Sequence, residues 1–152
     1  MPDLVTHTAA AYLVSRPHRR TEFRLFFVLG TLFPDLLSRP IYIMNPGWYP
    51  YSIAAHTPFF TLVFALLVSE FFPRRQRSWI RFGFGGGILL HFILDLMQKH
   101  LTPEYYLFFP VSWKTFSFGL FWPETLLDWL PLWLAAMALI ETAIVVRRRR
   151  RM

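Results

Sequence analysis

The sequence predicts an all-α fold: a small integral-membrane bundle of about four transmembrane helices, preceded by a short N-terminal helix. Three observations predict it. Of the 152 residues, 55% are hydrophobic and only 16% charged, against about 45–50% and about 25% in a soluble domain. So short a chain cannot hide that much apolar surface from water. The net charge is nevertheless +7, and it is not spread evenly. Of the 16 Lys and Arg residues, 13 lie in three clusters: Arg16, Arg19, Arg20 and Arg24; Arg74, Arg75, Arg77 and Arg81; and the run Arg147 to Arg151. Apolar stretches fill the intervals, as in a chain that crosses a bilayer and returns. The length suits one membrane-embedded domain over 1–152, with 147–152 as a basic cytoplasmic tail. The composition excludes a disordered chain, and the absence of Cys excludes disulfides and thiolate metal sites.

Each element follows in order. Residues 4–14, LVTHTAAAYLV, are about half a crossing long. They carry no positive n-region or clear cleavage site, so they read as a short helix packed into the bundle and not as a signal peptide. The first crossing centres on LFFVLGTLFPDLL, residues 25–37, and ends in the turn SRPIYIMNPGWYPYS. The second covers 53–72, the third 82–97, and the fourth 121–146, with a loop over 98–120 before the last. A span needs about 20 residues; the second and fourth stretches are long enough, and the first and third need flanking residues. In this order the three basic clusters fall on one side and Arg39, Lys99 and Lys114 on the other. That is the positive-inside pattern, which puts the C-terminus in the cytoplasm of a multi-pass protein of the cytoplasmic membrane. Both outward loops carry interfacial aromatics, Trp48, Tyr49 and Tyr51, then Tyr105, Tyr106 and Trp113. The Arg run reads as a stop-transfer anchor that attracts anionic lipid. No groove-reading or stacking motif accompanies it, so no nucleic acid is expected.

Ionisable residues inside membrane segments are costly and mark function. Counted from the nearest basic edge at about 1.5 Å per residue, His7, Asp35, His91 and Asp95 lie about 14, 16, 15 and 21 Å deep, and His56 about 27 Å. His91 and Asp95 are four apart on one helix face; such a pair chelates one metal or forms a plain hydrogen bond. Gly85 to Gly87, just before them, let another helix approach. Asp35 follows Pro34, either as a solvated carboxylate at an interrupted helix or as an acidic ligand at a proline break. His56 precedes Thr57 and Pro58, which suit an N-cap and first helical turn. His7 and His56, each taken alone, are more often structural. Together the five form a His/carboxylate set suited to a divalent metal, zinc first, with manganese, iron or magnesium as the other candidates. Such a metal activates water, with Asp35 or Asp95 as general base. Glu124 and Asp128, four apart, read as an interfacial solvated face or as added carboxylates of the site, His18 as solvated, and His100 as solvated or a reserve ligand. Glu70 beside Arg74, and Glu141 near Arg147, read as salt bridges at the basic edge.

The ordered set resembles the inner-membrane-associated metal-dependent hydrolase family, YdjM-like. The match runs through Thr6-His7, the segment GTLFPD with Asp35, His56-Thr57, the helix with Gly87, His91 and Asp95, and FFPVSWKTFSFG over 108–119. The family is distantly similar to the zinc phospholipase C and P1 nuclease group. The resemblance implies hydrolysis of a phosphoester, with a phospholipid or lipid-linked phosphate as substrate. The chain lacks the later H-x-x-x-E pair of the three-zinc pattern. Two readings of another class stand beside the enzyme: a non-catalytic membrane protein whose His/Asp cluster is a structural or proton-relay network, and a membrane-tethered regulator.

Overall fold

The structure is a computed structural model; it describes residues 4–99, 106–120, 122, 128 and 130–149. These form helices and no strand. In order they are α1 (Leu4–Ser15), α2 (Thr21–Met44), a 3-10 turn (Pro46–Trp48), α3 (Tyr49–Ala55), α4 (Pro58–Glu70), α5 (Arg74–Met97) and α6 (Leu130–Arg149). Among them, α2, α5 and α6 are long and apolar enough to cross a membrane. The pair α3–α4 makes a fourth if its two halves, bent by 69°, count as one span.

The second crossing departs from the unbroken helix expected over 53–72. Proline disfavours the helical conformation in the residue before it, and Thr57 is extended, with φ −118 and ψ 151. The chain therefore stops α3 at Ala55 and restarts α4 at Pro58. Thr57 holds the N-cap position, but its hydroxyl donates back to the Ala54 carbonyl at 2.8 Å and does not cap α4. Pro34 behaves differently. It has no N–H to give the Gly30 carbonyl, yet α2 continues through it and through Pro40. Asp35 thus projects from a continuous helix and not from a break.

The α2–α5 pair is the spine. A β-carbon on Gly30 would collide with the Phe84 carbonyl, one on Gly87 with the Phe27 carbonyl, and one on Gly83 would lie 2.8 Å from the Phe23 carbonyl oxygen. Gly83 and Gly87 are four apart on one face, the small-residue spacing that lets membrane helices touch backbone to backbone. Of the three glycines expected at this approach, Gly87 fulfils it. Gly86 meets only the Phe27 ring, and Gly85 faces Leu62 at 4.0 Å.

Burial is inverted relative to a water-soluble protein. Among the described residues, 13 polar or charged side chains are buried against nine hydrophobic ones. The polar set includes Thr6, Thr31, Ser38, Thr57, Thr61 and Ser69, while α4 exposes Phe59, Phe60, Leu62, Phe64, Leu66 and Leu67. Lipid tails offer no hydrophobic penalty for that exposure, so the interior is sorted by hydrogen bonding and close packing. An aromatic layer supports it: Phe33 stacks on Phe64 at 4.7 Å and leans on Phe84 at 5.2 Å, beside the cluster of Ala65, Phe84, Ile88 and Phe92. Segment 106–120 runs along the end of α5, where the Phe118 and Leu120 amides donate to the Leu96 and Met97 carbonyls, each at 2.7 Å.

The charged edge pairs differently from expectation. Glu70 binds Arg77 and Arg81, not Arg74; Arg81 also donates to Ser69 Oγ at 2.8 Å and Arg77 to the Phe72 carbonyl at 2.9 Å. These bonds staple the α4–α5 turn. Glu141 reaches across to α1, where it takes Arg16 and the Tyr12 hydroxyl, with Arg16 Nη2 at 2.6 Å. The bonds to Glu141 and Tyr12 raise the Arg16 guanidinium further above its ordinary value. No residue in the apolar window of α6 is buried, and this ion pair ties that helix to α1. Replacing Glu141→Gln is expected to raise amide exchange across 130–149 in detergent while α2 and α5 keep their protection. Unchanged exchange in α6 would assign its position to packing instead.

Candidate metal centre

Four separate elements carry the five predicted side chains to one place. His7 comes from α1, Asp35 from α2, and His91 with Asp95 from successive turns of α5. His56 closes α3 at the bend before α4. The break also corrects the depth of His56. Counted along an unbroken helix it stood about 27 Å from the basic edge, but α4 has only 13 residues, about 20 Å. That is level with Asp95.

His7, His91 and Asp95 have no exposed surface, and Asp35 has 2%. His56 is the least enclosed, its side chain 10% exposed. Asp95 is the hub. Its Oδ1 lies 3.3 Å from His7 Nε2, and its Oδ2 lies 3.1 Å from His91 Nε2 and 3.5 Å from His56 Nε2. His56 Nε2 is in turn 3.5 Å from Asp35 Oδ1 and 2.9 Å from His91 Nε2. Two overlapping groups with cation-binding geometry result: His7, His91 and Asp95, and Asp35, His56 and His91.

The individual spacings are compatible with a small cation. Donors held at about 2.0–2.1 Å on a tetrahedral zinc stand about 3.3–3.4 Å apart. The donor-to-donor distances along Asp35, His56, His91 and Asp95 run from 2.9 to 3.5 Å. The tautomer of His91 fits as well. Its Nδ1 lies 2.8 Å from the Thr31 carbonyl, which can only accept, so Nδ1 carries the hydrogen. The neutral ring then turns the lone pair of Nε2 toward Asp95 Oδ2 and His56 Nε2. Two electron-rich atoms at such separations attract only through a proton or a cation between them. An outer carbonyl that fixes the tautomer of a ligating imidazole is the usual support of a metal-binding histidine. His7 reaches the other oxygen of Asp95, where it can ligate or hold the carboxylate in orientation.

Two participants escaped the sequence reading. The Thr31 carbonyl left no signal, because a backbone acceptor belongs to every residue. Arg39 did leave one. It sits four residues after Asp35 on α2, and its Nη2 lies 2.8 Å from Asp35 Oδ2. Of the secondary candidates, Asp128 is exposed, and His18 stacks on Phe23 at 4.0 Å while its Nδ1 accepts from the Arg20 amide at 3.2 Å. Glu124, His100 and Tyr105 lie outside the described residues.

A helical bundle that is apolar outside and polar inside, with a His/Asp cluster enclosed between its helices, defines a membrane protein with a polar, ionisable core. The chain belongs to the YdjM inner membrane protein family, whose model matches residues 3–152. No curated protein and no solved structure matches it. The distant similarity to the zinc phospholipase C and P1 nuclease group therefore finds no support in these comparisons.

Proposed function

We propose that the chain is a membrane-bound metal-dependent hydrolase acting on a phosphoester, with a phospholipid or lipid-linked phosphate as substrate. The observation that carries this reading is the convergence of His7, Asp35, His56, His91 and Asp95 from four elements into two overlapping groups of three that share His91, each spaced so that it could hold a cation. Those residues would hold a divalent metal, zinc first. When bound, it would polarise a phosphoryl oxygen and acidify water. The chain's own groups supply the rest. Thr31 fixes the His91 ring, and His7 fixes the Asp95 carboxylate. Asp35, beside His56 and Arg39, would take a proton as general base. Asp95, fully buried, keeps three imidazoles aligned. Phe92, whose ring lies 5.6 Å from His56 and 5.3 Å from His91, limits water on the inner side. The sidedness of the three basic clusters supports a multi-pass arrangement with the C-terminus in the cytoplasm.

Elemental analysis tests the metal, and hydrolysis of bis(p-nitrophenyl) phosphate tests the chemistry. The purified protein is expected to carry about one equivalent of divalent metal and to lose both metal and hydrolysis in the His91→Ala, Asp95→Ala double variant. A folded wild-type protein without metal, or a double variant with its full complement, would overturn the assignment.

A further inference from the structure

A permanent cation against a metal ligand calls for a reason. Arg39 donates to Asp35 Oδ2 at 2.8 Å, while Asp35 Oδ1 faces His56 at 3.5 Å. For a site built only to hold a cation, that guanidinium is counterproductive: it competes for the charge of one of two carboxylates. The balance makes sense once an anion is included. Two carboxylates and a divalent cation cancel, and Arg39 leaves a surplus of one positive charge. The complement is a singly charged anion.

The position of Arg39 agrees. Asp35, Arg39 and Tyr42 follow at helical spacing on one face of α2, and burial falls along that face. The Asp35 side chain is 3% exposed, that of Arg39 is 25%, and Tyr42 is partly exposed. Tyr42 lies within electrostatic reach of Arg39 and Asp35, and its ring meets Tyr49 of α3 at 6.5 Å. The polar stripe leads from the cluster toward the C-terminal end of α2. A guanidinium presents five N–H donors in a fixed fork suited to phosphate oxygens, and the bond to Asp35 sets the plane of that fork.

We propose that Arg39 is the anion-recognition residue of this centre and that it selects a singly charged phosphoester, the charge state of a phosphodiester. The proposal rests on the metal reading above. The chemistry is shared by a phospholipid headgroup and by a free phosphodiester, so the test separates them. Dimethyl phosphate is titrated calorimetrically into the full chain in phosphatidylcholine nanodiscs, with metal content and thermal midpoint measured on the same samples. Arg39→Gln is expected to weaken dimethyl phosphate binding by about tenfold or more, as for loss of a charge-assisted bond, with metal content and midpoint unchanged. Arg39→Lys is expected to recover part of it, because charge remains and the fork does not. Competition by phosphatidylglycerol in the disc, lost in Arg39→Gln, assigns the site to a lipid headgroup; competition by soluble phosphodiester alone assigns it to a free one. Equal affinity in wild type and Arg39→Gln, absence of binding in wild type, or joint loss of phosphate and metal in Arg39→Gln would each overturn the proposal. Absence of metal from the wild-type protein would instead overturn the metal reading, whatever Arg39 does to phosphate.

Discussion

Asp95→Asn is expected to lower metal affinity by at least about 100-fold and to abolish hydrolysis, with the helices intact by circular dichroism. The reason is its place in the network. One oxygen faces His7 and the other faces His56 and His91, so the amide removes a charge and turns an N–H₂ donor toward one set of imidazoles. Changing even an outer partner of a metal ligand typically costs about 10–100-fold in affinity, and a central ligand costs more. His7→Ala should be milder, about 10–100-fold, if its main work is to hold the Asp95 carboxylate. The order is measurable by chelator competition. Equal losses in the two variants would make His7 a ligand of the same rank as Asp95. A wild-type affinity in Asp95→Asn would remove Asp95 from the centre.

The second large effect is expected at the α2–α5 crossing. Gly87→Leu should destabilise the bundle by about 3 kcal/mol or prevent assembly, since the new side chain enters space held by backbone atoms that cannot rotate away. The same substitution at Gly85, which faces Leu62 at 4.0 Å, should cost far less. The comparison controls for the helix propensity of glycine, because both positions lie in the same helix. Thermal unfolding in detergent reads the difference. Equal midpoints for the two variants would show that the crossing relaxes and does not set the architecture. Gly87 lies one turn before His91, so a displaced α5 would also carry His91 away from the Thr31 carbonyl. Metal binding should fall with stability.

Much of this architecture was legible because membrane insertion writes itself in composition. The clusters around Arg20, Arg77 and Arg149 stand at the ends of helices, and the apolar runs between them coincide with the helices long and apolar enough to cross a membrane. What could not be read was where a span breaks. Pro34 and Pro58 look alike in sequence, yet the helix runs through the first and stops before the second. Pro34 lies inside a helix whose face is pressed on Gly87 and Phe84, whereas Thr57 takes the extended form that proline favours in its predecessor. The centre was legible in its members because charged side chains are rare in such segments. It was not legible in its supports. Arg39 reads in sequence only as a basic residue outside the three clusters, although its spacing of four from Asp35 is visible there. Likewise Glu141 bonded to a helix far away in sequence and not to its neighbour Arg147, since tertiary proximity outranks local spacing.

The bend at His56 has a consequence for the membrane itself. Two helix ends meet there, and their last carbonyls and first amides require water or protein partners that hydrocarbon cannot give. From the basic edge to that bend, α4 supplies 13 residues, about 20 Å, against a hydrocarbon core of about 30 Å. Beyond the bend α3 adds seven residues tilted by 69°, and the thickness they leave uncovered would be met by thinning of the bilayer, by water, or by headgroups that dip toward the protein. On this flank the boundary of the aqueous phase would be drawn down toward His56, whose side chain is 10% exposed. On the hydrolase reading proposed above, a lipid phosphate would then reach His56 without leaving its own leaflet.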